Sequence, residues 1–143
     1  MNKFNKIVWS SASDEWYTPQ NVFDRLDKEF HFTLDPCATD SNHKCSKYFT
    51  KLNDGLKQDW GGESVFVNPP YSDIKRWVEK SYLSSLKKDT VVVCLLPSRT
   101  DTKWFHRYIV KSKEVRFIEG RLKFGGSKSS APFPSMIVVF DSR

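Results

Sequence analysis

Residues 68–71 read Asn-Pro-Pro-Tyr and follow directly on the apolar run Val65-Phe66-Val67. Neither proline has an N–H to donate and both restrict the chain, so the segment leaves its strand stiff and extended. The Asn68 side chain offers a carbonyl acceptor, and the backbone carbonyl of Pro69 offers a second. Two acceptors converging on one point suit a planar exocyclic NH2 group, because they take both of its hydrogens. An amine held this way turns its lone pair toward an electrophilic methyl and passes on developing positive charge. Tyr71 adds an aromatic face on which a base can stack. The structural alternative is a proline-stiffened turn capped by Asn.

Other segments accompany this one in a fixed order. They are Glu15-Trp16-Tyr17-Thr18-Pro19, Leu34-Asp35-Pro36-Cys37-Ala38, and Gly55-Leu56 with Trp60, all before Asn68. After it come Leu96-Pro97-Ser98-Arg99-Thr100-Asp101-Thr102 with Trp104-Phe105, then Gly120-Arg121-Leu122-Lys123-Phe124 and Pro132-Phe133-Pro134-Ser135. Taken together, the chain resembles the phage-type DNA N-6-adenine-methyltransferase (Dam) family over most of its length. The resemblance implies a catalytic loop of Asn68, Pro69, Pro70 and Tyr71, and S-adenosylmethionine as methyl donor. It also implies a donor site drawing on Trp16, Tyr17, Thr18, Pro19, Asp35, Pro36, Cys37 and Asn68.

The expected reaction is direct displacement on the sulfonium methyl by N6 of adenine in double-stranded DNA. Methylation of cytosine N4, RNA adenine or a protein glutamine fits the same geometry. So does a nucleic-acid-binding module that keeps the fold without catalysis. One departure from the wider methyltransferase pattern favours that last alternative. Many such enzymes have a glycine-rich turn after the first strand, and this chain has no glycine before Gly55. Asp35-Pro36-Cys37-Ala38 stands there instead. Asp35 can receive the donor's ammonium group or simply cap the strand end.

Several residues keep two readings. Asp59 suits either the donor's adenine amine or a turn cap. Asp54 and Asp40 are equal candidates for the ribose hydroxyls. Arg99 suits a phosphate or a surface ion pair. Arg121, Lys123 and Lys128, in the glycine-rich stretch 120–130, suit DNA backbone contacts or plain solvated loop. Cys37, His43 and Cys45 lack the paired spacing of zinc ligands, so no metal is expected.

The elements that must carry these residues follow from periodicity. Thr18-Pro19 reads as an N-cap and first helical residue, with Val22, Phe23, Leu26 and Phe30 at helical spacing over 19–29. Strands are expected at 32–35, at Tyr48-Phe49 and at 65–67. A helix beginning at Ser72-Asp73 carries Ile74, Trp77, Val78, Tyr82, Leu83 and Leu86 as its apolar stripe. The uniformly apolar run Val91–Leu96 reads as a strand covered on both faces. A helix over 101–110 and strands at 115–118 and 136–140 complete the pattern. With no helix evident in 119–134, the last two strands are expected to be antiparallel. The fold class is therefore α/β: a single Rossmann-like methyltransferase fold, its sheet mostly parallel with an antiparallel C-terminal strand.

Length and charge set the frame. The 143 residues fit one domain over 15–143 behind a flexible polar arm at 1–14. Eleven Phe, five Trp and five Tyr are ample for one core. No stretch approaches the roughly 20 apolar residues that cross a bilayer, and no signal-peptide pattern is present. A soluble protein with no membrane partner is expected in the cytoplasm, the host's if the chain is phage-encoded. The net charge of +6 is uneven: residues 1–71 hold 8 Lys/Arg against 10 Asp/Glu, and residues 72–143 hold 15 against 7. The C-terminal half thus suits a polyanion. There is no room for a separate target-recognition domain, so specificity must be loose, or come from short loops or from a homodimer.

Overall fold

The computed structural model describes residues 17–125 and 130–143, so the expected N-terminal arm, Trp16 and Lys128 lie outside the described residues. Helix α1 (Gln20–Phe30) buries Phe23 and Leu26 and ends at His31 in the left-handed region. There follow β1 (Leu34–Asp35), β2 (Lys47–Tyr48), β3 (Ser64–Val67), α2 (Ile74–Ser85), β4 (Val91–Pro97), α3 (Lys103–Arg107), β5 (Glu114–Phe117) and β6 (Ser135–Asp141).

All six strands join one sheet in the order β2-β1-β3-β4-β6-β5. Strands β1 to β4 are mutually parallel. β6 runs antiparallel to both of its neighbours, β4 and β5. β5 must therefore point the same way as β4, and β6 alone is reversed. The expected α/β class and antiparallel C-terminal strand are what the structure has. The long 118–134 connection lets β6 return between β4 and β5 rather than outside them.

Every residue of β4 is buried, as its unbroken apolar run requires. Its side chains alternate between two clusters. Val92, Cys94 and Leu96 pack with Ile74, Trp77 and Val78 of α2, while Val91, Val93 and Leu95 pack with Phe23 and Leu26 of α1. The helices thus cover opposite faces of the sheet.

Helix α2 departs from its expected stripe. It buries Ser81, Ser84 and Ser85 beside Ile74, Trp77 and Val78, while Leu83 and Leu86 stay 50% and 55% exposed. Positions 74, 77, 78, 81 and 85 continue one face at steps of three and four, whereas 83 and 86 lie off it. Small side chains thus fill part of the face that packs on β4, and the Ser81 hydroxyl is satisfied by donating to the Trp77 carbonyl at 2.7 Å. The helix expected over 101–110 is likewise shorter, with a 3-10 turn at Ile109–Lys111 after α3.

Parallel strands align their carboxyl ends. Asp35 therefore closes β1, Asn68 follows β3, Ser98 follows β4 and the 118–134 connection leaves β5, all along one edge of the sheet.

Candidate active site

Beyond the carboxyl ends of β1 and β3 lies a cavity of about 560 Å³. One wall is Tyr17 and Thr18, another the turn Asp35-Pro36-Cys37-Ala38, and the remainder includes Asp54, Gly55, Asn68, Pro70 and Trp77. Tyr17, Thr18, Asp35, Pro36, Cys37 and Asn68, separated by up to about a third of the chain, are thus brought together. Pro69 is buried and, like Pro19, does not line the cavity.

Asn68 is held from the side. Its Nδ2 donates to Thr18 Oγ1 at 3.0 Å. The expected N-cap role of Thr18 is not what the structure has: α1 is capped at Pro19 with no side-chain hydrogen bond. The Pro19 carbonyl instead accepts the Val22 and Phe23 N–H groups, each at 3.1 Å. Pro70 is extended, with φ −63° and ψ 131°, and a 3-10 turn at Tyr71–Asp73 carries the chain into α2.

Tyr71 is buried and does not line the cavity. Its ring meets Phe133 edge-on, with centroids 5.2 Å apart. Burial pushes its hydroxyl well above the ordinary tyrosine range, against the opposing pull of the nearby Arg99 charge. Close by in the fold, Ser98 and Ser135 each bury a hydroxyl oxygen that has no hydrogen-bond partner among the described residues. Sequence reasoning passed over both, because nothing in the local pattern distinguishes a serine at a strand end from an ordinary one. Ser98 immediately follows β4 and Ser135 opens β6, opposite Pro97.

Asp35 is 5% exposed. Desolvation raises its carboxyl above the usual carboxylate range; the Lys44 N–H at 2.9 Å and the Cys37 N–H at 3.3 Å only partly oppose this. A buried carboxylate beside a cavity, with backbone donors but no salt-bridge partner among the described residues, is suited to a cationic ligand group.

The turn after β1 packs against a glycine from further along the chain. A Cβ on Gly55 would stand 2.1 Å from the Pro36 carbonyl oxygen, so only glycine permits this approach to the turn. Gly55 also accepts the buried Trp60 indole N–H at 2.9 Å. Asp54 precedes it in a left-handed conformation, with φ 55°, and its carboxylate accepts the Leu56 N–H. Of the two candidates for hydroxyl recognition, Asp54 lines the cavity; Asp40 instead accepts the Tyr48 hydroxyl at 3.0 Å and does not.

Asp59 is not brought to the cavity. It accepts the Gly61 N–H at 2.8 Å and pairs with Lys87 at 2.8 Å on the surface. Arg99, Arg121 and Lys123 are exposed along the carboxyl edge, with no ion pair to a described residue. Gly125, in the same connection, donates its N–H to the Tyr17 carbonyl at 2.8 Å. The Cys45 and Cys94 thiols are buried and pushed up to about 12, so neither is a nucleophile at neutral pH. Cys37 is half-buried on the cavity wall. No helix among the described residues is long and apolar enough to cross a membrane.

The sequence has known relatives. The family model of DNA N-6-adenine-methyltransferase (Dam) matches residues 7–142. The chain is 32% identical over 141 residues to the DNA N-6-adenine-methyltransferase of Haemophilus phage HP1, covering 93% of this chain and 82% of that protein. It is 31% identical over 114 residues to the DNA N-6-adenine-methyltransferase of Escherichia phage T1, covering 78% of this chain and 48% of that one.

Proposed function

Because the chain belongs to the DNA N-6-adenine-methyltransferase (Dam) family, we propose how its own residues carry out that reaction. It is an adenine N6 methyltransferase acting on DNA. The observation that carries the mechanistic reading is the position of Asn68 at the end of a buried parallel strand, on the wall of a cavity that also holds the buried Asp35.

We assign the methyl donor as S-adenosylmethionine. The cavity fits it in chemistry: a desolvated carboxylate for an ammonium, a second carboxylate for hydroxyls, and the aromatic Trp77 beside them. Asp35 would hold the ammonium and Asp54 the ribose hydroxyls, with Tyr17, Thr18, Pro36 and Cys37 as walls. Asp59, on the surface turn, takes no part in this reading. Bound there, the donor supplies an electrophilic methyl.

The Asn68 side-chain carbonyl and the Pro69 backbone carbonyl accept the two hydrogens of the adenine amine. As N6 gains positive charge, those fixed dipoles stabilise it without having to reorganise, which is where most of the rate effect arises. The base must leave the duplex stack to reach them, at a cost of about a few kcal/mol. Stacking on Tyr71 requires that its edge contact with Phe133 opens. Arg99, Arg121 and Lys123 grip the phosphate backbone of double-stranded DNA. In a phage setting the reaction takes place in the host cytoplasm. A second copy reading the other half of a symmetric site is one source of specificity, and sedimentation with and without DNA tests it.

Incubation with unmethylated duplex DNA and S-adenosylmethionine, followed by nucleoside mass spectrometry, should yield N6-methyladenine. Methyl transfer to cytosine N4 instead, or none to DNA, would refute this reading.

A further inference from the structure

Thr18 makes a contact that neither helix capping nor donor binding requires. It is 5% exposed, and its Oγ1 accepts the Asn68 Nδ2–H bond at 3.0 Å from fifty positions away in the chain. A primary amide carries two donors on nitrogen and an acceptor on oxygen, exchanged by a half-turn about its last torsion. Only the oxygen suits a substrate NH2; the nitrogen would set N–H against N–H. That last torsion is intrinsically soft, so an amide with no lateral partner presents both ends.

We infer that Thr18 is a positioning residue: its buried hydroxyl is a fixed lateral partner that stops rotation of the Asn68 amide with Nδ2 turned toward Thr18 and the carbonyl end left for the substrate amine. This rests on the reading of Asn68 as the amine's acceptor. Thr18 itself is well fixed. On one side the Pro19 carbonyl begins α1. On the other the Tyr17 carbonyl receives the Gly125 N–H at 2.8 Å, and a Cβ on Gly125 would sit 3.3 Å from Tyr17 Cβ. Its hydroxyl therefore reaches Asn68 from a backbone pinned before and after it.

The test compares Thr18→Val, which keeps the shape and removes the hydroxyl, with Thr18→Ser, which restores it. The valine variant should lose about 10- to 100-fold in kcat, the scale of a small misplacement at a reacting centre. Thr18 also walls the donor cavity, so the diagnostic is a kcat loss that persists at saturating S-adenosylmethionine, and serine should recover most of that rate. In an Asn68→Ala background, single-turnover methylation should fall by no more than about twofold on adding Thr18→Val, because a residue acting only through Asn68 has nothing left to position. If valine lowers the melting temperature too far for assay, Thr18→Ala replaces it in the same comparisons. Wild-type kcat without the hydroxyl, a loss confined to donor affinity, or a full further loss in the Asn68→Ala background would each overturn the inference. Near-normal methylation by Asn68→Ala alone would instead strike the reading beneath it.

Discussion

At the amino edge of the sheet, charged side chains find partners inside the protein; at the carboxyl edge, several do not. Along the first edge Lys47 pairs with Glu63 at 2.7 Å, Lys87 with Asp59 at 2.8 Å, and Asp141 with both Lys113 and Arg143. Away from both edges, on the outer strand β5, Arg116 grips Glu29 of α1 with both terminal nitrogens, at 2.8 and 2.6 Å, and also pairs with Glu114. Along the opposite edge the ion pairs are local: Arg76 with Asp73 and Lys57 with Asp54, each three residues apart. Arg99, Lys103, Arg121 and Lys123 there have no ion pair to a described residue. The same edge buries the Ser98 and Ser135 hydroxyls with no described partner.

The difference separates scaffold from site. An exposed pair contributes little, roughly 0–1 kcal/mol, yet it saturates both charges. A cation left in water can bind phosphate without first breaking an internal pair, and counterion release then favours the complex.

The contrast is broken most severely at Asn68. Asn68→Ala should lower kcat by roughly 10²–10³-fold while leaving calorimetric affinity for S-adenosylmethionine nearly unchanged; near-normal turnover would remove the catalytic loop from its role. Next comes Asp35. Asp35→Ala should weaken donor binding by about 1.5–3 kcal/mol, or roughly 10–150-fold in Kd, while a variant that binds normally and only melts earlier would make Asp35 a structural cap.

Asp35 also fixes a pH dependence. Its folded pKa is raised, so the native state holds that proton more tightly than the unfolded chain does. The resulting stability is complete below the unfolded pKa and is lost as pH rises through the folded one. Donor binding runs the other way: the carboxylate attracts the ammonium only when ionised. Affinity should therefore decline as pH falls through the raised pKa, above the range of an ordinary aspartate. Titrating Kd against pH in wild type and Asp35→Asn checks this, since asparagine should flatten the profile.

Smaller effects sharpen the contrast between edges. Neutralising Arg99, Arg121 and Lys123 together should make the log–log salt dependence of DNA binding shallower, by about 0.9 for each phosphate that the variant no longer neutralises. It should also weaken binding to all sequences alike. Arg116→Ala, on the scaffold side, should shift the melting temperature and leave that slope alone. An unchanged slope in the triple variant would move the DNA face to other cations. Smallest of all is Asp59→Ala, which should change neither donor affinity nor salt slope. A clear loss of donor affinity there would bring Asp59 back into the site.

Much of this was legible from residue order. Val91–Leu96 had to be a strand buried on both faces, because an unbroken β-rich apolar run has no polar side to show water. Asn-Pro-Pro-Tyr announced its chemistry through two stiff residues beside an amide. Periodicity misled at α2, where hydrophobicity favoured Leu83 and Leu86 but packing on β4 favoured Ser81, Ser84 and Ser85. A helix packed tightly on a strand selects for size as well as polarity, and size complementarity depends on the neighbour.

The sequence by itself determined the succession of elements and the two-faced burial of β4, because dihedral preferences and side-chain periodicity act within a few residues. Only the tertiary structure decided that β6 returns between β4 and β5, that Asp40 and Asp59 stay out of the cavity while Asp54 enters it, and that Thr18 meets Asn68 rather than capping α1. It also set Gly55 against the Pro36 carbonyl, a close packing contact between two walls of the cavity. These are contacts between segments distant in the chain, set by how helices and strands pack into one core, and no local pattern encodes them.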